Sequence, residues 1–407
     1  PEPPGPPTAT NRLSLPKDRA FLGAASLLTV VGITVFLLPA VMADKDRASD
    51  VPDLTCPIPM GPVTLALSNR QNSPKPGRSP ILENIVRASL TNQSSLLSTV
   101  VIDGEPKAVE SFAVTASSST HAQMVARDFI DRAVNVRSEK PEADVLVALD
   151  TAARVSAPAR NGTIVVIDSG LSTTGPVNFD QQTGVDVDTS DVVRLIRDTG
   201  HLPDLTGKTV IFIGIGEVVS PQEKLRPAQR RNLVDMWTAI AQASGASCVE
   251  SVDQLGLDGP SGYLPPVQTV AIPPPPLSIL KDNKFVLTLG SEATFMPDSA
   301  VLVDNDAARH ELVRVANAAT ENPASRVSVV GTTSNSGDKA NQKALSYARA
   351  QAIADILVSL GIERGRLVVE GVGSDFPEYV DDTDTNGALV PALAQRNRSV
   401  RIALISG

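Results

Sequence analysis

The sequence predicts an α/β protein in three parts. A single N-terminal transmembrane helix leads into a doubly wound, mainly parallel sheet domain, and a smaller α+β domain follows. Three observations predict this. Phe21 to Ala43 is an uncharged apolar run long enough for a bilayer, which takes ~20 residues. Apolar strands alternate with amphipathic helices over 56–253, the pattern of a parallel sheet covered on both faces. A Pro-rich stretch, 254–283, then separates this series from a second set of strands and helices over 284–407.

The chain has 407 residues, 42% hydrophobic and 20% charged, which suits globular domains. Aromatics are only 3%, so aliphatics and alanine must build the cores. The formal charge of −9 argues against a protein that tracks nucleic-acid phosphates. Cys56 and Cys248 fit no zinc or redox spacing. They pair if the compartment is oxidising and are small buried residues if it is reducing.

Residues 1–20 read as a disordered, Pro-rich cytoplasmic tail. Arg12, Lys17 and Arg19 precede the apolar run at 21–43, which places the N-terminus in the cytoplasm and the remainder outside. The expected location is therefore the cell membrane, as a single-pass protein. Pro39 followed by Val41, Met42 and Ala43 also fits a cleaved signal peptide. Both readings export the chain.

In the middle domain, "PVTLALS" (62–68), "LSTVVID" (97–103), "SFAVTAS" (111–117), "GTIVVIDSG" (162–170), "KTVIFIGIG" (208–216) and "SCVESVD" (247–253) read as strands. Helical periods fall at 81–90, 121–134, 143–155, 190–200 and 226–245. In the last of these, Leu233, Trp237, Ile240 and Ala241 share a face that Ser244 continues. "GIGEVV" lacks the third glycine of a dinucleotide fingerprint, and "TGKT" (206–209) precedes a strand instead of a helix. His121 opens a helix, and His201 and His310 sit at surface positions. No nucleophile with a base, zinc cluster or carboxylate pair is recognisable, so no enzyme, cofactor or metal is expected. The order of elements resembles a von Willebrand factor A-like domain, which implies an interaction module with an unknown protein partner. That family often binds a cation after the first strand through carboxylate and hydroxyl oxygens. Here "SNRQNS" (68–73) has no carboxylate. Asp168, with Ser73 and Thr120, would make a degenerate site, or Asp168 would simply cap a loop.

After the spacer, with Pro273 to Pro276 as an extended stretch, strand character returns over 285–302. A helix follows over 305–323, capped by Asn305 or Asp306, with Leu312, Val315, Ala316 and Ala319 on one face. Strands at 325–331, 366–373 and 398–405 complete the domain, with an Asp-rich loop before the last. The helix within "GTTSNSGDKANQKALSYARAQAIADILVSLG" (331–361) ends at Gly361, and Leu345, Ile353, Ile356 and Leu360 mark its apolar face. Arg349 falls in the middle of that stripe. A buried arginine needs an anionic partner. Asp375, Glu378, Asp381, Asp382 or Asp384 would supply one internally.

"FMPDSAVL", "GTTSNSGDKANQKALSYARAQ", "GVG" with Pro377 following, and "NRSVRI" resemble an OmpA-like domain over 284–407. The resemblance implies a bacterial cell-envelope protein that binds peptidoglycan non-covalently. In that family an arginine at the place of Arg349 grips a carboxylate of diaminopimelate in the peptide stem, as a planar fork can. An Asp fifteen residues earlier meets the ammonium; here that place is Ser334. Gln342 stands where the family has Asn, and Arg398 matches a later arginine. The ligand residues implied are Arg349, Thr333, Ser334, Gln342 and Arg398. Asp338 would replace the missing acid or cap the helix. A stator-like ion channel subunit shares this architecture but needs an ionisable residue in the membrane; 21–43 has none. The remaining alternative is a domain diverged to protein–protein scaffolding.

Overall fold

The computed structural model describes residues 54–406 apart from 72, 74–76, 91–93, 157–160, 181–182, 254–263, 273–276, 281–283, 289–294, 297 and 303. The segments predicted at 1–20 and 21–43 and the proline run 273–276 lie outside the described residues. Among the described residues no helix is long and apolar enough to cross a membrane.

The first domain comprises β1 (Val63–Leu67), α1 (Pro80–Ser89), β2 (Ser94–Val101), β3 (Lys107–Thr115), α2 (Ser119–Ala133), α3 (Val145–Val155), β4 (Gly162–Ile167), α4 (Thr189–Asp198), β5 (Lys208–Ile213), α5 (Pro227–Ala243) and β6 (Cys248–Val252). Its sheet runs β3-β2-β1-β4-β5-β6. All neighbours pair in parallel except the edge strand β3, which is antiparallel to β2. β1, β4 and β5 are buried at every residue, because helices cover both faces. Leu82, Ile85, Phe129 and Ile130 of α1 and α2 build one layer. Leu149, Ile196, Leu233 and Trp237 of α3, α4 and α5 build the other. Cys56 and Cys248 form a disulfide that fastens the chain before β1 to β6.

Residues 264–272 return along this domain. Val270 joins its core, and its backbone exchanges two hydrogen bonds of 2.8 Å with the Gln222 side chain.

The second domain holds β7 (Leu277–Leu280), β8 (Lys284–Thr288), α6 (Asn305–Glu321), β9 (Ser325–Thr332), α7 (Lys339–Ser359), β10 (Leu367–Gly373), α8 (Pro391–Asn397) and β11 (Ser399–Ser406). The sheet order is β10-β9-β11-β8-β7. Only β10 and β9 are parallel. Leu312, Val315, Ile353 and Leu357 of α6 and α7 meet Val327, Val329, Val400 and Ile402 of the sheet in one core.

Three details differ from the sequence reading. Asp304, not Asn305 or Asp306, caps α6, accepting a bond from the Ala307 N–H. The strand predicted over 285–302 stops at Thr288 and gives way to a bridge between Phe295 and Leu302. That bridge encloses a turn in which Asp298 has φ +48°, a conformation Asp tolerates better than most residues. The Asp-rich loop contains α8, a seven-residue helix with Pro391 at its first turn, where a missing N–H costs nothing.

Candidate functional site

An open parallel sheet usually binds ligands where its strand order reverses. In this chain that point lies between β1 and β4, and it is filled from within. Asp168, fully buried, accepts bonds from Arg70 Nη2 (3.0 Å), Ser68 Oγ (2.5 Å) and the Gly170 N–H (2.7 Å). The arginine's cation stands beside the one acid of the degenerate metal set. Thr120 is exposed at the start of α2. Gly214 and Gly216 of "GIGEVV" have positive φ, and a Cβ on Gly216 would meet Arg230 Cγ at 2.5 Å. Gly216 thus admits Arg230, whose Nη2 lies 3.0 Å from Glu217 and 3.2 Å from Asp253. Among the described residues no group of three His, Cys, Asp or Glu side chains could hold a metal ion.

The second domain keeps a polar site, and α7 positions its centre. This helix lies almost in contact with the backbone of β9 and β10. A Cβ on Gly331 would fall 1.9 Å from the Ser346 carbonyl oxygen, and one on Gly371 would fall 2.2 Å from the Tyr347 nitrogen. The buried stripe of α7 is Gln342, Ser346, Arg349, Ala350, Ile353, Ala354 and Leu357, with the small Ser346 at the closest approach to β9. The predicted apolar face is therefore rotated; Leu345, Ile356 and Leu360 are only half-buried. Arg349 is on the buried side, 6% exposed.

Arg349 has no ion-pair partner among the described residues. Its Nε donates to the Ser299 carbonyl at 2.9 Å, and its guanidinium carbon lies 5.4 Å from the centre of the Phe295 ring. Burial and, after it, the charge of Arg398 lower its pKa to about 10, with Asp188 and Asp298 opposing them. At neutral pH the group stays charged, so the structure holds a buried, incompletely matched cation.

The other implied residues gather at the end of β9. Val400 pairs with Gly331; Arg398 stands two residues before Val400 and Thr333 two residues after Gly331. The Thr332 hydroxyl fastens the junction by donating to the Asn397 and Ser399 carbonyls. Thr333 and Ser334 are buried, and among the described residues Thr333 Oγ1 has no hydrogen-bond partner. Nor does Arg398 Nη1. Gln342 is spent locally: its amide donates to the Gly337 carbonyl at 2.9 Å and accepts from Ser374 Oγ at 2.7 Å. Asp338 is exposed and caps α7 through the Asn341 N–H, so it does not replace the acid absent at Ser334.

The Asp-rich loop does not neutralise Arg349. Its Asp382 is fully buried but accepts from the Asn335 N–H, Tyr379 hydroxyl and Asn397 amide. Glu378 pairs with Arg401 at 2.9 Å. Besides Asp298, the acids that approach the arginines come from the first domain. Asp191 on α4 lies 2.5 Å from Arg398 Nη2, and Asp188, the cap of α4, acts on Arg349 through its charge.

Residues 294–388 match the OmpA family. The chain thus has an OmpA-like domain in its C-terminal part. None of the curated proteins matches the chain. Among solved structures it is similar to the cell wall anchor of the T6SS from Pseudomonas aeruginosa: 26% identity over 30% of this chain and 81% of that one, TM-score 0.24. It is also similar to the peptidoglycan-associated lipoprotein from Burkholderia pseudomallei, at 24% identity over 28% and 86%, TM-score 0.22. An outer membrane protein from Borrelia burgdorferi B31 gives 17% identity over 32% and 96%, TM-score 0.23.

Sequence reasoning missed three residues at the site of the OmpA-like domain: Phe295, Asp188 and Asp191. The first was legible as the aromatic of "FMPDSAVL". The last two were not, because no periodicity within one domain reports a contact from another.

Proposed function

We propose that this chain is a bacterial cell-envelope protein that binds peptidoglycan non-covalently through its OmpA-like domain and catalyses no reaction. One observation supports this most. Arg349 is a buried cation with no carboxylate of its own, in a domain whose family offers this position to a carboxylate in the peptide stem. Arg398 Nη1 and Thr333 Oγ1 add buried polar atoms with no hydrogen-bond partner among the described residues. A guanidinium fork with a free edge suits that carboxylate.

The remaining parts of the reading rest on the sequence. Residues 21–43 anchor the chain in the cell membrane with its N-terminus cytoplasmic and the rest outside. Residues 56–253 act as a von Willebrand factor A-like interaction domain for a protein partner. The element order behind that resemblance is present, and the internal Arg70–Asp168 pair favours a metal-free form of it. The test is retention of the full chain on insoluble peptidoglycan, wild type against Arg349→Ala. Loss of retention is expected. Equal retention removes the site.

Two observations favour the second reading, a domain turned to protein scaffolding. Ser334 replaces the acid for the ammonium, and Arg398 already holds Asp191. A charged hydrogen bond is worth about 1.5–3 kcal/mol against about 0.5–1.5 for a neutral one. Binding through this site is therefore expected to be weaker than with the family's acid present.

A further inference from the structure

The arginine pair of the OmpA-like domain already has an anion in front of it, and that anion belongs to the same chain. Helix α4 lies against α8, the short helix that ends just before Arg398. Asp191, in the first turn of α4, is 4% exposed and lies 2.5 Å from Arg398 Nη2; Arg194, one turn on, is 3.4 Å from its other oxygen. Asp188 begins the same turn. One of its oxygens accepts from the Ser190 N–H and hydroxyl, which fixes the carboxylate in place. Its charge and that of Asp298 are the acidic influences on Arg349, and Arg398 is the basic one.

Sites that accept a carboxylate are satisfied by any carboxylate of suitable reach. A tethered one competes at high effective concentration. We propose that the first turn of α4, through Asp191 and Asp188, acts as a built-in competitor that covers the carboxylate site of the OmpA-like domain, so that a peptidoglycan stem must displace α4 to bind. This rests on the wall-binding reading above and adds its regulation. The site has two states: closed by α4, or open with the stem carboxylate on the arginines. Reciprocity follows. Whatever draws α4 away, such as a partner of the first domain that engages it, tightens wall binding, and the wall releases α4.

The competitor pairs most closely with Arg398, and Arg349 is left without an ion pair. The closed state is therefore only partly matched, as a displaceable one must be. Burial also holds the Asp191 carboxyl above the usual carboxylate range, with Asp188 adding to this and Arg398 and Arg194 opposing it. The latch is under electrostatic tension.

The test uses the full chain and insoluble peptidoglycan as the probe. It compares wild type, Asp191→Asn, the double variant Asp188→Asn with Asp191→Asn, and Arg349→Ala. Asn is a good helix cap and nearly isosteric, so α4 should persist. Amide exchange over 189–198 and thermal unfolding check this and report release of α4 directly. The double variant should bind about tenfold more tightly than wild type, within the usual range of coupling. Arg349→Ala should lose retention. In wild type, added peptidoglycan should speed exchange in α4. If the Asp variants bind like wild type while Arg349→Ala fails, the latch is wrong and the wall site stands. If Arg349→Ala binds like wild type, or no form binds, both fall. Unchanged exchange in α4 on wall binding also overturns the latch.

Discussion

Arg349 and Asp144 hold opposite charges in dry places, and each predicts a measurable cost. Arg349→Met keeps the stem and removes a buried charge that lacks an ion pair. Thermal unfolding should show a protein as stable as wild type or more so, by up to about 2 kcal/mol, while wall retention is lost. A site kept for stability would behave in the opposite way. Asp144 caps α3 through the Val147 N–H and is 5% exposed. Burial pushes its carboxyl up to about 6, against the backbone N–H groups of Val147 and Leu146. The folded state thus holds this proton more tightly than the unfolded chain. Its contribution to stability is full below the ordinary Asp value and is lost as pH rises through about 6. Asp144→Asn removes the ionisation and keeps a cap. Urea unfolding should find the variant more stable at pH 8, by an amount on the order of 2 kcal/mol, and nearly equal to wild type at pH 4.

At the scale of elements, close helix–sheet contact decides what is sensitive. Gly331→Ala and Gly371→Ala would each drive a Cβ into the backbone of α7. Urea titration should give losses above about 3 kcal/mol, because a helix backbone cannot step aside as a side chain can. Gly337 has φ +77° but open space around it, so Gly337→Ala should cost only about 1 kcal/mol. The same contact explains what could be read from the sequence. β1, β4 and β5 are continuous apolar runs and α5 keeps Leu233, Trp237 and Ile240 on one face, so the first domain was plain. In α7 the buried line is Ser346, Ala350 and Ala354, which hydrophobic periodicity underweights. It pointed to Leu345 and Ile356 in their place. Arg349 and the residues near it were named through their family resemblance. Their acid partners were sought in the nearest Asp-rich loop, because proximity in sequence is all a sequence offers. That loop spends Asp382 on the Asn335 N–H and on the Tyr379 and Asn397 side chains.

The whole molecule is governed by two long-range ties, the Asp191–Arg398 pair between domains and the Cys56–Cys248 bond within the first. The disulfide closes a loop of sequence separation 192. Loop-closure entropy makes such a bond worth about 5 kcal/mol, an upper figure because denatured chains keep structure. Cys56→Ser with Cys248→Ser should therefore lower the denaturation midpoint of the first domain and leave α6 and α7 unaffected, as amide exchange can resolve. Such a bond persists in an oxidising compartment, as the proposed exported location would provide. Its placement has a mechanical meaning as well. Cys56 lies just before the first strand and Cys248 begins the last one. A pull applied through the N-terminal segment and the linker would run across the sulfur bridge and leave nearly the entire first domain slack. If one end is held at a membrane and the other at a wall, as proposed above, swelling of the envelope would load the bridge, the linker and the OmpA-like domain, while the first domain kept its shape. Single-molecule stretching would read this directly: reducing the bond should release roughly 650 Å of hidden length, and the oxidised chain should never yield it.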